Sequence, residues 1–235
     1  MVDKSAARVR EMFGQIARRY DLLNHLLSLN IDRGWRRRAV KLVPPGDEGP
    51  VLDVCTGTGD LALAYWRSRP GRLPIVGADF CHPMLVVAAQ KARRLRAETD
   101  VTWIEADAQQ LPFADGRFQI VCVAFGLRNI SDTQQGLREM ARVCRPGGRV
   151  AVLEFSMARC RPLRVLYGWY FRHLLPRLGQ TLARNRQDAY NYLPASVAEF
   201  PQGEELAERM RAVGLDQVHY WPFTFGIATL YVGVK

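Results

Sequence analysis

A glycine-rich loop between a short apolar strand and a helix carries the strongest chemical signal in the sequence. The predicted strand 51–54 contains Asp53 and runs into a turn that holds Gly57, Thr58 and Gly59. Glycines let the backbone approach a ligand closely, and the N-terminus of the following helix offers free N–H groups. The loop is therefore a candidate cofactor cradle.

Two further acidic residues follow the next strands along the chain. Asp79 comes after the predicted strand 74–78, where a carboxylate can accept hydrogen bonds from both hydroxyls of a ribose. Asp107 follows the predicted strand 101–104, next to Ala108, where an acid can face an adenine amino group. Because the carboxyl ends of parallel strands form the ligand-binding edge of such sheets, we expect these residues to share one cofactor site.

Two cofactors compete for this predicted site. Residues 57–62 match a dinucleotide fingerprint, with Asp79 at a suitable distance, which favours a nicotinamide-dependent dehydrogenase. Against it, Asp53 lies within the strand, as in S-adenosylmethionine-dependent methyltransferases, and no hydride-transfer residues are evident downstream. A tight turn without a ligand is a third interpretation. We favour S-adenosylmethionine, because its activated methyl group requires alignment and exclusion of water more than an acid–base cluster.

The elements that must position these residues alternate between strand and helix. The chain begins with helices over residues 5–43 and a breaker cluster at 43–50. Strands are then predicted at 51–54, 74–78, 101–104, 118–124 and 148–155, with helices at 59–68, 83–97 and 132–144 and a turn at 145–148. Helices at 162–180 and 204–213 and closing strands at 216–221 and 227–234 follow. This order predicts an α/β fold: a Rossmann-like class I methyltransferase with a mostly parallel seven-stranded sheet, helices on both faces and an N-terminal helical extension.

Composition sets broad limits on the class of protein. The 235 residues, 48% of them hydrophobic, suit one domain, and the formal net charge of +10 implies an anionic partner. The five cysteines form no CxxC pair and the four histidines show no ligand spacing, so neither disulfides nor a metal is expected. Since no signal-peptide core or membrane-spanning run is evident, a cytoplasmic protein, at most peripheral on the inner face of the membrane, is expected.

Several longer stretches are similar to one known family. They are 20–28 (YDLLNHLLS) followed by Trp35, 111–113 (LPF), 125–129 (FGLRN), 142–156 (RVCRPGGRVAVLEFS), and 188–194 (DAYNYLP) with Ser196. Over nearly its whole length the chain resembles the UbiE/MenG methyltransferases of menaquinone and ubiquinone biosynthesis. It departs from the family pattern where Leu23, Asp32 and Ala124 replace the usual Met, His and often Ser.

The resemblance implies C-methylation of a polyprenylated quinol with S-adenosylmethionine as cofactor. The expected substrate is demethylmenaquinol, which becomes menaquinol, and the benzoquinol of the ubiquinone pathway is the alternative. A hydroquinone carbon becomes a good nucleophile once a phenol proton leaves, so a base or a cation beside the phenolate would help.

The resemblance also suggests residues for these roles. Arg128 and Asn129 lie just past a strand end and are candidate catalytic residues, with a surface arginine and a helix cap as the structural alternative. Tyr20, a third candidate, belongs with Asp21 to the helical extension, which could close over the site, although Asp21 could instead N-cap a helix. Ala124 is expected to face the cofactor.

We therefore expect one methyltransferase domain over 1–235. It would comprise an N-terminal helical lid (1–48), a cofactor-binding core (49–156) and a region of substrate- or membrane-facing helices and closing strands (157–235).

A basic segment follows the predicted core. Residues 156–187 contain seven arginines interleaved with apolar residues and no Asp or Glu. We expect 160–180 to contact a membrane that carries the quinol tail, unless its apolar residues simply pack on the sheet. An RNA methyltransferase is less favoured because no RNA-binding module is evident, so no nucleic-acid partner is expected. A non-catalytic scaffold is the remaining alternative, and a homo-oligomer is compatible with the sequence.

Overall fold

Strands and helices alternate along most of the chain. The computed structural model describes residues 5–28, 30–157 and 195–235. The helices are α1 (Ala6–Leu27), α2 (Ile31–Leu42), α3 (Asp60–Ser68), α4 (His82–Leu95), α5 (Thr133–Val143) and α6 (Glu204–Arg211). The strands are β1 (Val51–Val54), β2 (Ile75–Asp79), β3 (Val101–Glu105), β4 (Phe118–Ala124), β5 (Cys144–Phe155), β6 (Asp216–Phe223) and β7 (Ala228–Val234). The predicted helix 162–180 lies outside the described residues.

The strands form one sheet in the order β3-β2-β1-β4-β5-β7-β6. Strands β1 to β5 pair in parallel, and β7 runs antiparallel between β5 and β6. The seven-stranded, mostly parallel sheet predicted from the sequence is thereby confirmed. Since the chain moves to β2 on one side of β1 and later to β4 on the other, β1 and β4 flank the point where ligands bind in open α/β sheets.

Apolar residues cover both faces of the sheet. One cluster joins β1, β4 and β5 to α5 and α6 through side chains such as Leu137 and Met210. The other joins the opposite face to α2, α3 and α4. Helix α2 contributes Trp35 and Val40 to this second cluster, whereas α1 shares a separate small cluster with α4. The predicted lid segment 1–48 therefore contains one helix that packs in the main core and one that does not.

The predicted turn at 145–148 is part of β5 instead. Cys144 already pairs with Phe118, and the register shifts before Arg149 pairs with Ile120. The end of the chain holds this irregular stretch, because Gly147 N–H donates to the Lys235 carbonyl at 2.8 Å and Lys235 N–H donates to Gly148 at 3.0 Å. Backbone pairing thus continues through residues whose types favour a turn.

No helix in the described ranges is long and apolar enough to cross a membrane. In the same ranges no group of His, Cys, Asp or Glu side chains is arranged to hold a metal ion.

Candidate functional site

A cavity of about 930 Å³, a volume that includes open solvent at its mouth, lies at the carboxyl ends of β1, β2 and β4. Most of the residues predicted from the sequence line it: Tyr20, Asp53, Gly57, Thr58, Asp79, Asp107, Ala108, Ala124 and Asn129. The structure therefore brings the loop and the three acidic strand ends together. Two predicted site residues, Gly59 and Arg128, are not among the lining residues.

Hydrogen bonds fix the glycine loop between β1 and α3. The Asp53 carboxylate accepts from the Thr56 hydroxyl at 2.6 Å and from Ala62 N–H at 3.0 Å. Asp79 accepts from Gly57 N–H at 2.8 Å and from Cys81 N–H at 2.8 Å. Each Asp79 oxygen keeps a further lone pair for a ligand hydroxyl.

The two loop glycines have different roles. Gly57 adopts a φ of 56°, and a Cβ there would meet nothing within 4 Å, so open space for a ligand lies above it. A Cβ on Gly59 would stand 2.5 Å from the Trp103 ring. The small size of Gly59 therefore allows the loop to pack on β3, and its contact with the cofactor stays a prediction.

Burial raises the pKa values of two cavity carboxylates, Asp53 and Asp79, toward neutral pH. Desolvation raises the pKa of Asp53 to about 7, against the lowering effects of the Thr56 and Ala62 hydrogen bonds. Desolvation likewise raises the pKa of Asp79 to about 6, although two backbone N–H groups favour its ionised form. A cationic ligand would favour ionisation of both.

The charges of the lining distinguish the two competing cofactors. The described lining residues include four aspartates and a single basic side chain, Arg36. S-adenosylmethionine carries a positive sulfur and an ammonium group against one carboxylate, so it matches an acidic cavity with one cation. The pyrophosphate of a dinucleotide is doubly negative and would face those aspartates unfavourably. The lining thus favours the methyl donor.

Arg36 was missed in the sequence analysis. It is 7% exposed and donates to Asp32 at 2.5 Å, and Asp32 also accepts from Ser28 at 2.6 Å. Its guanidinium lies 5.3 Å from the Phe125 ring centre. Burial lowers the Arg36 pKa, but Asp60 and Asp32 outweigh this, so its pKa is raised and it stays charged. The available signal was the Asp32–Arg36 spacing of four residues on the apolar face of α2.

Arg128 does not face the cavity as a free cation. It is 5% exposed, and its guanidinium donates to Glu154 on β5 at 2.9 Å and stacks 5.3 Å from the Phe155 ring. Its backbone N–H also donates to Glu154 at 3.2 Å. The surface-arginine alternative is wrong, because Arg128 lies in a buried ion pair that joins the turn after β4 to β5, and its catalytic role stays a prediction.

Asn129 does reach the cavity from the same turn. Its Nδ2 donates weakly to the Phe125 carbonyl at 3.4 Å. Its Oδ1 is buried and accepts no hydrogen bond from the described residues. A buried acceptor without a donor is unfavourable, so this oxygen is available to a ligand hydroxyl.

Helix α1 is fastened to the loop through Asp21. One Asp21 oxygen accepts from the Thr58 hydroxyl at 2.5 Å, and the other accepts from Lys91 on α4 at 2.8 Å. Lys91 also pairs with Asp60 at the start of α3. The N-cap interpretation of Asp21 is wrong, since the residue lies inside α1. These contacts hold Tyr20 against the cavity.

Comparisons with known proteins agree with this geometry. The model of the ubiE/COQ5 methyltransferase family matches residues 1–235. A ubiquinone/menaquinone biosynthesis C-methyltransferase UbiE from Geobacter sulfurreducens is 45% identical over 97% of this chain and 88% of its own. A demethylmenaquinone methyltransferase from Thermus thermophilus is 47% identical over 94% and 99%. Among solved structures, an S-adenosylmethionine-dependent methyltransferase from Thermotoga maritima, titled a possible histamine N-methyltransferase, has the same fold. Its TM-score is 0.67 at 19% identity, over 96% of this chain and 99% of that one.

Proposed function

The chain belongs to the ubiE/COQ5 methyltransferase family, and from this premise we propose that it methylates a ring carbon of a polyprenylated quinol. The substrate is demethylmenaquinol and the product menaquinol. The observation that carries the proposal is the acidic cavity with one buried arginine at the carboxyl edge of the sheet. The relative from Thermus thermophilus, named for demethylmenaquinone, supports the choice of ring.

Four parts of the lining would hold S-adenosylmethionine. Gly57 offers open space over the loop, Asp79 accepts from the ribose hydroxyls, and Asp107 faces the adenine. Arg36 binds the carboxylate of the methionine part, since it is the single cation among the described lining residues. When bound, the cofactor supplies a methyl group activated by a positive sulfur.

The chain's own residues orient the quinol. Asn129 Oδ1, which has no donor among the described residues, accepts from a ring hydroxyl and fixes the ring in the cavity. Tyr20 on α1 closes the same space and excludes water. Loss of the hydroxyl proton to solvent pushes electron density onto the neighbouring ring carbon. Formation of the new C–C bond at that carbon would be balanced by cleavage of the sulfur–methyl bond, whose electron pair stays on sulfur. The ring carbon then loses its own proton, and the phenolate oxygen is reprotonated.

Arg128 acts as a positioning residue in this proposal. Its pair with Glu154 and its contact with the Phe125 carbonyl hold the turn that presents Asn129. Both of these guanidinium bonds use Nη1, and the buried Nε has no partner among the described residues.

The prenyl tail of the substrate brings the reaction to a membrane surface. We therefore retain the interpretation of a cytoplasmic protein that contacts the inner face of the membrane. The segment 160–180, which the sequence suggests for this contact, lies outside the described residues.

Product analysis tests the proposal directly. The purified protein is incubated with methyl-labelled S-adenosylmethionine and either demethylmenaquinol or the corresponding benzoquinol, and products are identified by mass. We expect label in menaquinol, and none with Asp79→Ala, which removes the ribose acceptor. Methyl label in the benzoquinol product alone would assign the protein to ubiquinone biosynthesis. Binding of NADH in place of S-adenosylhomocysteine by calorimetry would overturn the methyltransferase assignment of the cavity.

A further inference from the structure

The turn between β6 and β7 exposes a phenylalanine on a strained backbone. Phe225 is 74% exposed and has a φ of 58°, and its neighbour Thr224 has a φ of 45°. A β-branched or bulky residue in the left-handed region persists only where its surroundings hold it there. Trp35 Nε1 donates to the Thr224 hydroxyl at 2.8 Å, and the Ser156 hydroxyl donates to the Gly226 carbonyl at 2.7 Å. The turn is thus fixed from both sides while its phenyl ring stays in solvent.

Other exposed apolar side chains border this turn. Met157 is 50% exposed and directly follows Ser156, whose N–H donates to the Ile227 carbonyl at 2.9 Å. Ile31 is 41% exposed and lies one helical turn before Trp35 on α2. We refer to Ile31, Met157 and Phe225 together as the apolar patch.

Every exposed charged side chain of α2 is basic. Its exposed charged side chains are Arg33, Arg37, Arg38 and Lys41, whereas the acid of the helix, Asp32, is buried in its pair with Arg36. The Arg38 guanidinium lies 4.7 Å from the Phe223 ring centre, which joins the basic face to the strand that leads into the turn. Apolar side chains next to a row of cations match the interface of an anionic bilayer.

The patch lies at the same edge of the sheet as the cofactor cavity. Trp35, which bonds the turn, lies 6.0 Å from the Phe125 ring and 6.0 Å from the Phe155 ring. The Phe125 and Phe155 rings are 4.4 Å apart, and Phe125 lines the cavity. A surface resting on this patch would therefore face the edge from which a ligand enters.

We propose that the apolar patch and the basic face of α2 together dock the protein on a bilayer that contains anionic phospholipid. Phe225 enters the headgroup boundary and the α2 cations contact the phosphates. The orientation of the cavity toward the bilayer rests on the proposed function, because a tailed quinol enters from the bilayer. The docking surface itself is inferred from the exposed apolar side chains, the strained backbone of the turn and the basic residues of α2.

Vesicle sedimentation tests this surface. Wild type is mixed with vesicles of phosphatidylcholine alone or with added phosphatidylglycerol, at low and high salt. We expect binding to the anionic vesicles that falls with salt. Removing charge with Arg37→Gln and Lys41→Gln lowers the partition coefficient about fivefold for each residue. Phe225→Asn lowers it several-fold without loss of folding, since Asn tolerates the left-handed region.

Matched controls come from α4. Val86→Asn removes another exposed apolar side chain, and Arg93→Gln with Arg94→Gln removes two exposed charges. These variants should bind vesicles like wild type. Three results would each overturn the docking surface. They are an equal loss of vesicle binding in the control and test variants, no loss of binding in the α2 and Phe225 variants, and no binding of wild type at low salt. A dimer that Phe225→Asn dissociates, without vesicle binding, would instead assign the patch to a second copy of the chain.

Activity separates this proposal from the proposed function. Phe225→Asn should methylate a short-tailed, water-soluble quinol at the wild-type rate but show a raised KM for long-tailed quinol in vesicles. If wild type fails to methylate the short-tailed quinol, the proposed function fails, while the vesicle result stands on its own. An unchanged KM for the long-tailed quinol would overturn the link between docking and substrate entry.

Discussion

The protonation state of Asp79 should make the cofactor affinity of the cavity depend on pH. Its pKa of about 6 lies above the value of an exposed aspartate, so the stability it contributes is present at low pH and is lost as pH rises through about 6. The ligand reverses this preference, because a cationic cofactor and ribose donors favour the carboxylate. We expect the affinity for S-adenosylmethionine to fall about tenfold from about pH 7 to pH 5, measured by calorimetry.

Two comparisons isolate the cause of that pH dependence. S-adenosylhomocysteine lacks the positive sulfur, so its affinity should change less over the same range. Asp79→Asn should bind weakly at every pH and show a smaller pH dependence, because Asp53, with a pKa of about 7, still titrates. A wild-type profile no steeper than that of the variant would show that Asp79 is already ionised in the empty cavity.

Arg36 should increase the affinity only of ligands that carry a carboxylate. The variant Arg36→Gln is paired with Asp32→Asn, because Asp32 would otherwise be left buried without a cation. We expect the double variant to bind S-adenosylmethionine at least tenfold more weakly, since a charge-assisted hydrogen bond is lost. Methylthioadenosine, which has no carboxylate, should bind both proteins alike. Weaker binding of methylthioadenosine as well would indicate a general defect of the cavity.

At the scale of elements, the turn after β4 depends on the pair between Arg128 and Glu154. Both side chains are buried, so removing one partner costs about 3–5 kcal/mol, whereas replacing both with apolar residues is close to neutral. We expect Arg128→Ala to lower the melting temperature and the turnover together. Arg128→Met with Glu154→Gln should regain much of the melting temperature, because the glutamine amide is uncharged and its carbonyl can still accept from the N–H of residue 128.

The turnover of that double variant decides the role of Arg128. If the arginine only positions the turn, the double variant regains most of the activity along with the fold. Activity that stays low in a stable double variant would support the direct catalytic role suggested by the family resemblance. The KM for S-adenosylmethionine serves as the control, because neither residue lines the cavity.

The site residues near strand ends were predictable from the sequence, whereas those that depend on which helix face is buried were not. Asp53, Asp79 and Asp107 follow apolar runs, and parallel pairing alone brings such positions to one edge. Arg36 stands in a row of three arginines, and only packing of α2 on the sheet buries one of them. Likewise, no local pattern indicates that Arg128 meets Glu154, because that pair depends on the register of β4 with β5.

At the scale of the whole molecule, the predicted lid, residues 1–48, contains two helices that contribute differently to the stability of the fold. Trp35, Ala39, Val40 and Val43 on and after α2 are buried in the cluster that covers one face of the sheet. Loss of a single large buried side chain costs about 3–5 kcal/mol, and a domain is stable by only about 5–15 kcal/mol. Removal of α2 should therefore exceed the stability of the fold.

Two truncations test this division. A chain that starts at residue 30 loses α1, with Tyr20 and the Asp21–Thr58 contact, but keeps the main core. We expect it to unfold cooperatively, with a sheet signal in circular dichroism, and to bind S-adenosylmethionine weakly. A chain that starts at residue 44 should be aggregated or unfolded. If the first truncation retains full affinity, α1 does not close the cavity; if the second folds, residues 1–48 act as one separable lid and α2 contributes less to the core than its burial implies.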